Sequence, residues 1–250
     1  MGEPFFYLPP ESWSSEIFLD KQEAKHLSRS LRLAPGQTVR LLDGAGRAGR
    51  FVILEIQKKT IRLERIEEQI LQKPEARAVL APAFSKAVRR GFFFEKAVEL
   101  GCDAVWIWQG DHSQGKLPAA LHATVRGQMI AGAKQCGNPW LPEVRVFPSG
   151  IIEVVAAADS VDYRILPWEL QENVPMLALA QVGRPGVSLY VIGPEGGFSV
   201  RELALLSGFT PVSLGARVLR CETAATLCLG IHWWASHAAK NDVNTLERQL

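Results

Sequence analysis

After residue 73 the chain changes rhythm, and that change constrains the fold more than any other feature. Residues 78–83, 104–108, 174–180 and 188–192 are short apolar runs of the kind that form buried strands, and 211–214 is a shorter one. Segments 87–100, 117–135, 199–206 and 223–239 between and after them read as helices. Gly101 ends the first of these, and Gly137-Asn138-Pro139 ends the second. Strands alternating with helices predict an α/β domain with a mainly parallel sheet over residues 73–250. Residues 1–72 read differently. Segments 17–19, 38–42, 50–56 and 60–66 are rich in β-branched residues, and Leu42-Asp43-Gly44-Ala45-Gly46 is a turn signal. Only 20–32 has helical spacing, at Ala24, Leu27 and Leu31, before Pro35-Gly36 stops it. The expectation is a small β-rich domain joined through Gln72-Lys73-Pro74-Glu75 to the α/β domain.

Composition narrows the function classes. With 47% hydrophobic and 22% charged residues, the chain is globular rather than disordered. A net charge of +2, shared evenly between the two parts, gives no general argument for nucleic acid, so an RNA surface must come from local clustering. Cys102, Cys136, Cys221 and Cys228 form no CxxC pair, so no metal site is expected, and such scattered cysteines suit a reducing cytoplasm. The N-terminus lacks the pattern of a signal peptide. The longest uncharged run, 223–239, falls short of the roughly 20 apolar residues of a membrane span.

Two loops carry chemical interest. In Ile192-Gly193-Pro194-Glu195-Gly196-Gly197-Phe198-Ser199 an apolar strand runs into three glycines, and Ser199 with Glu202 fits a capping box that starts a helix. Ligands of open α/β sheets gather at such turns, although a tight turn with no ligand reads the same way. The loop matches neither GxGxxG nor a Walker sequence, so dinucleotides and nucleoside triphosphates are not favoured. The second loop is Leu214-Gly215-Ala216-Arg217-Val218-Leu219-Arg220-Cys221-Glu222-Thr223-Ala224. Arg217 and Arg220 could meet an anion there, and Glu222 and Thr223 suit a helix start, where a carboxylate and a hydroxyl are both favoured. The densest basic cluster is Lys25, His26, Arg29 and Arg32, with Arg40, Arg47 and Arg50 further along. It reads either as an RNA-backbone track or as an ordinary solvated face.

Taken together, the motifs Gly193-Pro194-Glu195-Gly196-Gly197-Phe198-Ser199 and Leu214-Gly215-x-Arg217-x-Leu219-Arg220-x-Glu222-Thr223-Ala224 closely resemble the C-terminal signature of the RsmE family. These are ribosomal RNA small-subunit methyltransferases E, of the SPOUT superfamily. His26-Leu27, Leu31-Arg32, Gly36 and Asp43-Gly44 resemble the family's PUA-like domain. Lys86, Arg89, Lys96, Ala97, Glu99, Leu100 and Gly101 resemble its first central helix, and Gln135-Cys136-Gly137 with Pro142 its second.

The resemblance implies a trefoil-knotted α/β methyltransferase domain behind a PUA-like β-barrel, and a homodimer. It implies S-adenosylmethionine as cofactor, held by Ile192, Gly193, Pro194, Glu195, Gly196, Gly197, Leu214, Gly215, Val218, Leu219 and Thr223. The implied reaction is methylation of N3 of one uridine of 16S ribosomal RNA in the small subunit. Arg220 is the first candidate to stabilise the charge of the deprotonated uracil, with Arg217 second and Glu222 at the helix start. The RNA contacts would come from His26, Arg29, Arg32, Arg47, Lys86 and Arg89.

The chain departs from the family pattern at His112 and Asn138, where arginine is usual, and such a change removes a guanidinium fork. These departures keep a second reading open, a divergent RNA-binding protein or methyltransferase with another RNA target. A small-molecule enzyme using the glycine loop for a nucleotide is a third.

Overall fold

The computed structural model describes residues 3–14, 16–19, 23, 33–57, 60–85, 91–118, 121–168, 174–178 and 181–247. The chain forms two units, one of Met1–Lys73 with Ile130–Leu141 and one of Pro74–Met129 with Pro142–Leu250.

The first unit is built on five strands, β1 (Phe5–Tyr7), β2 (Ile17–Leu19), β3 (Thr38–Leu42), β4 (Arg47–Ile56) and β5 (Ile61–Ile70). Their order is β1-β3-β4-β5-β2, with only the β1–β3 pair parallel. Alternation decides which face is buried: Ile17 and Leu19 point inward while Phe18 between them is exposed. Phe6, Val39, Leu41, Phe51, Ile53 and Ile61 complete that core. The turn at 42–46 closes on Asp43, whose buried carboxylate accepts the N–H groups of Ala45 at 2.7 Å and Arg47 at 3.0 Å. Gly46, at φ +101°, lies under the Trp140 ring, which a Cβ there would meet at 2.2 Å. The helix expected at 20–32 lies outside the described residues, apart from Glu23.

The second unit carries a six-stranded sheet. Its elements are β6 (Ala76–Pro82), α1 (Gly91–Glu99), β7 (Ala104–Trp108), α2 (Leu121–Cys136, whose last turns count with the first unit) and β8 (Glu143–Phe147). They continue with α3 (Ile151–Ala157), β9 (Tyr163–Pro167), β10 (Gly186–Ile192), α4 (Val200–Leu205), β11 (Thr210–Val212) and α5 (Cys221–Glu247). The order is β11-β9-β10-β6-β7-β8, and every pair is parallel. All five side chains of β7 are buried, as expected for a strand covered on both faces. The chain runs outward through β6, β7 and β8. It then crosses to β9 and returns with β10 between β9 and β6, so the order reverses beside β10. Ligands of open parallel sheets bind at such a reversal, beyond the carboxyl ends of the strands.

Two expectations need correction. Of the strand expected at 174–180, residues 174–178 are described, and they make only an isolated bridge from Met176 to Ser213. Its backbone has no long partner edge, and Met176 is 65% exposed. The strands β8 and β9 and the helix α3 were not expected, and β9 lies between β10 and β11.

On α5, His232 is buried, with Nδ1 3.0 Å from the Tyr190 hydroxyl of β10. Burial holds its pKa below the ordinary histidine value. The unfolded chain therefore takes up a proton below about pH 6.5 that the folded chain resists, so folding stability falls as pH drops through that region. We expect the melting temperature to fall between pH 7 and 5.5, and part of that fall to vanish in His232→Gln. A wild-type melting temperature flat across that range contradicts this.

Candidate functional site

The site begins with the end of β10. Its side chains from Val187 to Ile192 are buried, so the strand delivers a fixed backbone into the glycine loop. Gly193 must lack a side chain, because a Cβ there would lie 2.8 Å from the Phe198 ring. Phe198 stacks on Trp108, with centroids 6.1 Å apart and planes 10° apart, which anchors the loop to β7. A turn closes it, the Gly197 N–H donating to the Pro194 carbonyl at 2.9 Å with Gly197 at φ +74°. The expected capping box is present. Ser199 accepts the Glu202 N–H through Oγ at 3.2 Å, and Glu202 accepts the Ser199 N–H through Oε2 at 2.7 Å.

The second loop follows β11. Gly215, at φ +117°, turns the chain after Leu214. The loop enters α5 at Cys221, whose pKa burial pushes well above the ordinary thiol value, so the thiol packs as an apolar group.

The two loops face one cavity of about 200 Å³. Of the expected cofactor residues, Ile192, Gly193, Pro194, Glu195, Gly197, Leu214, Gly215, Val218 and Leu219 line it, as do Arg217 and Arg220. Both arginine side chains are exposed. Gly196 and Thr223 do not line it, and neither does Glu222, one of whose carboxylate oxygens is buried with no hydrogen-bond partner. Gly196 sits on the outside of its loop, where a Cβ would lie 2.8 Å from the Cβ of His112.

Sequence reasoning missed five wall residues: Pro167, Trp168, Phe198, Cys221 and Ala224. Phe198 and Cys221 stand inside the two motifs and could have been read from them. Trp168 follows β9 and donates its backbone N–H to the Val212 carbonyl at 2.9 Å, so it was out of reach once β9 was missed. The walls are mainly apolar and backbone, with Glu195, Arg217 and Arg220 as the charged groups. Such a site can take a flat heteroaromatic ring on its walls, satisfy its ring nitrogens with backbone groups and meet negative charge at the arginine rim.

The basic cluster fares differently. His26, Arg29, Arg32, Lys86 and Arg89 lie outside the described residues. Arg47 stands over the Trp13 ring at 5.2 Å and lies 3.7 Å from Glu68 and 4.0 Å from Asp43. Arg40 and Arg50 both bind Glu3, and the Thr38 hydroxyl with these two guanidiniums holds the Glu3 carboxyl down at about 2. These three arginines already have carboxylate partners, so their field is largely cancelled locally. Among the described residues no group of His, Cys, Asp or Glu could hold a metal ion, and no helix is long and apolar enough to cross a membrane.

Known proteins resemble this chain over most of its length. Residues 72–233 match the family described as an RNA methyltransferase domain, and residues 19–64 match an RNA methyltransferase PUA domain. A ribosomal RNA small subunit methyltransferase E of Synechocystis is 30% identical over 233 residues, covering 88% of this chain and 74% of the relative. A methyltransferase structure from Legionella pneumophila, with bound S-adenosylmethionine, superposes with TM-score 0.80 at 27% identity, covering 94% of this chain and 98% of that one. A ribosomal RNA small subunit methyltransferase E from Neisseria gonorrhoeae, also bound to S-adenosylmethionine, gives TM-score 0.76 at 26% identity, covering 92% and 96%.

Proposed function

This chain belongs to the RsmE family of ribosomal RNA methyltransferases, and from that premise we propose that it methylates N3 of one uridine in 16S ribosomal RNA of the small subunit. The observation that carries this reading is the single cavity enclosed by loops 192–198 and 214–221 at the carboxyl ends of β10 and β11. S-adenosylmethionine fits those walls. The adenine and ribose find backbone groups at Gly193, Leu214 and Gly215, and the Phe198 ring beside Gly193 leaves no room for a side chain there. Trp168, Val218 and Leu219 offer apolar surface.

When bound, the cofactor supplies a methyl carbon made electrophilic by its sulfonium. The chain has to bring the uracil N3 to that carbon without its proton. Losing this proton spreads negative charge over the two uracil carbonyl oxygens. A guanidinium beside them stabilises that charge and favours the deprotonated ring. Arg220 fits this task because it is exposed at the cavity rim, immediately before the α5 N-terminus. Arg217, on the same rim, is placed to hold the RNA phosphate or the second oxygen. Glu222 is set aside from the chemistry, since it does not line the cavity.

In this reading loops 193–199 and 214–223 form a trefoil knot, and two chains pair through the exposed apolar side chains of α5. Leu227, Trp233 and Trp234 are 37%, 39% and 60% exposed on that helix, more apolar surface than a solvated helix ordinarily shows. The protein acts in the cytoplasm, where small subunits are assembled.

The test is transfer of labelled methyl from S-adenosylmethionine to small subunits that lack this modification, with the labelled nucleoside identified. Label in 3-methyluridine is the expected result. Label in another nucleoside, or only in another RNA, favours the divergent-target reading, which the carboxylate partners of Arg40, Arg47 and Arg50 also support. No label, with cofactor binding demonstrated, overturns the proposed substrate.

A further inference from the structure

The glycine loop has two faces. Its inner face lines the cavity, and its outer face rests on residues 110–113, which follow β7 and have no place in the mechanism above. His112 Nδ1 lies 3.0 Å from the Gly197 carbonyl oxygen. That oxygen can only accept, so Nδ1 carries the proton. Asp111 accepts the Ser199 hydroxyl at 2.6 Å and binds Arg201 Nη2 at 2.7 Å. Its own backbone N–H donates to Glu202 Oε1 at 2.8 Å. Glu202 is 1% exposed and divides its two oxygens between the Asp111 and Ser199 N–H groups, so one buried carboxylate ties the two segments together. Arg201 and Ser199 hold the Asp111 carboxyl below the usual carboxylate range, which keeps it charged at neutral pH. The 110–113 segment is itself rigid. The Gly110 N–H donates to Ser113 Oγ at 3.1 Å, and the Ser113 N–H donates to the Gly110 carbonyl at 3.1 Å.

We infer that His112 is a positioning residue for the cofactor loop, its imidazole N–H fixing the Gly197–Phe198 peptide so that the opposite face keeps the shape of the cofactor wall. Two consecutive glycines lead into this peptide and leave it little intrinsic restraint, so an outside hydrogen bond must supply it. The preceding peptide is already held, its Gly197 N–H engaged by Pro194, so the Gly197 carbonyl is the next group of the turn that needs a partner. His112 stands where the family usually has arginine, and here its Nδ1 is spent on this chain's own backbone rather than on RNA. The inference rests on the reading that the cavity holds S-adenosylmethionine.

His112 is exposed, so its replacement leaves the core intact. The experiment compares wild type with His112→Ala, His112→Asn and His112→Gln, measuring the Kd for S-adenosylhomocysteine, the KM for small subunits and hydrogen exchange of the 197–199 amides without ligand. Asparagine places an N–H donor where Nδ1 sits; glutamine carries its donor one bond further. The expected result is a cofactor Kd raised about tenfold in His112→Ala and His112→Gln, recovered to within about threefold in His112→Asn. The KM for small subunits stays near wild type, and amide exchange accelerates in the two weak binders. A cofactor Kd unchanged in His112→Ala overturns the inference, as does an effect confined to the KM for small subunits. If wild type itself binds no cofactor, the proposed function fails. The exchange data then judge the brace separately: unchanged exchange in His112→Ala overturns it, and accelerated exchange sustains it.

Discussion

Arg220→Ala should lower methyl-transfer turnover by one to two orders of magnitude while the cofactor Kd stays within about threefold of wild type. The separation follows from position. Arg220 is exposed at the cavity rim and has no carboxylate partner among the described residues, whereas the deeper walls are apolar side chains and loop backbone. The adenosyl part of the cofactor is neutral, so removing a rim guanidinium costs it little. The uracil becomes anionic only as N3 loses its proton. A donor aimed at charge that develops in the transition state is worth about tenfold to a thousandfold in turnover. The pH–rate profile carries a second signature. Without the guanidinium, the uracil deprotonates at higher pH, so the rising limb of the profile should move to higher pH in the variant. Arg217→Ala should show a smaller loss. Wild-type turnover in Arg220→Ala would remove this residue from the mechanism.

Gly196→Val should weaken cofactor binding by roughly tenfold to a hundredfold, the range that overpacking a fitted contact produces. The resemblance implies that Gly196 itself holds the cofactor. The structure gives another cause. Gly196 lies on the outer face of the loop, and a Cβ would stand 2.8 Å from His112 Cβ and 3.3 Å from the His112 carbonyl oxygen. The near atoms belong to a backbone and to a Cβ, neither of which can swing away, so the loop itself has to move. That movement carries Gly197 away from His112 and deforms the wall on the inner face. Gly208→Ala is the matched control, because a Cβ there meets nothing within 4 Å. Isothermal titration of both variants with S-adenosylhomocysteine decides the matter. An unchanged affinity in Gly196→Val means that the loop shape does not control binding.

The legible parts of the fold were those fixed by local pattern. The apolar run of β7 and the mainly apolar run of β10 announced buried parallel strands, and the Ser199–Glu202 spacing announced the start of α4. Both cavity loops were legible because a glycine turn between a strand and a helix has few structural uses. Residues 174–180 are also apolar, yet composition does not say whether a partner edge exists, and here only Met176 meets one. In β9 the run Tyr-Arg-Ile-Leu-Pro is short and carries a charge, so its signal is weaker than that of the wholly apolar 174–180. Trp168 was lost with it. The contacts of Asp111 and His112 to the loop span 85 to 91 residues of chain. No periodicity within either segment reports such a pairing, and the departure from arginine at 112 marked the position without showing what histidine does there. Asn138 is a similar case. Its Oδ1 accepts the Trp140 N–H at 3.0 Å, a turn-forming bond of the first unit.

The central claim is that loops 192–198 and 214–221 together form the cofactor site, and a crystal structure with S-adenosylhomocysteine tests it most directly. The account predicts the adenine between the backbone of Gly193 and Leu214, with Arg220 left free to face the RNA. Ligand bound elsewhere on the chain, or an empty cavity at saturating ligand, contradicts it.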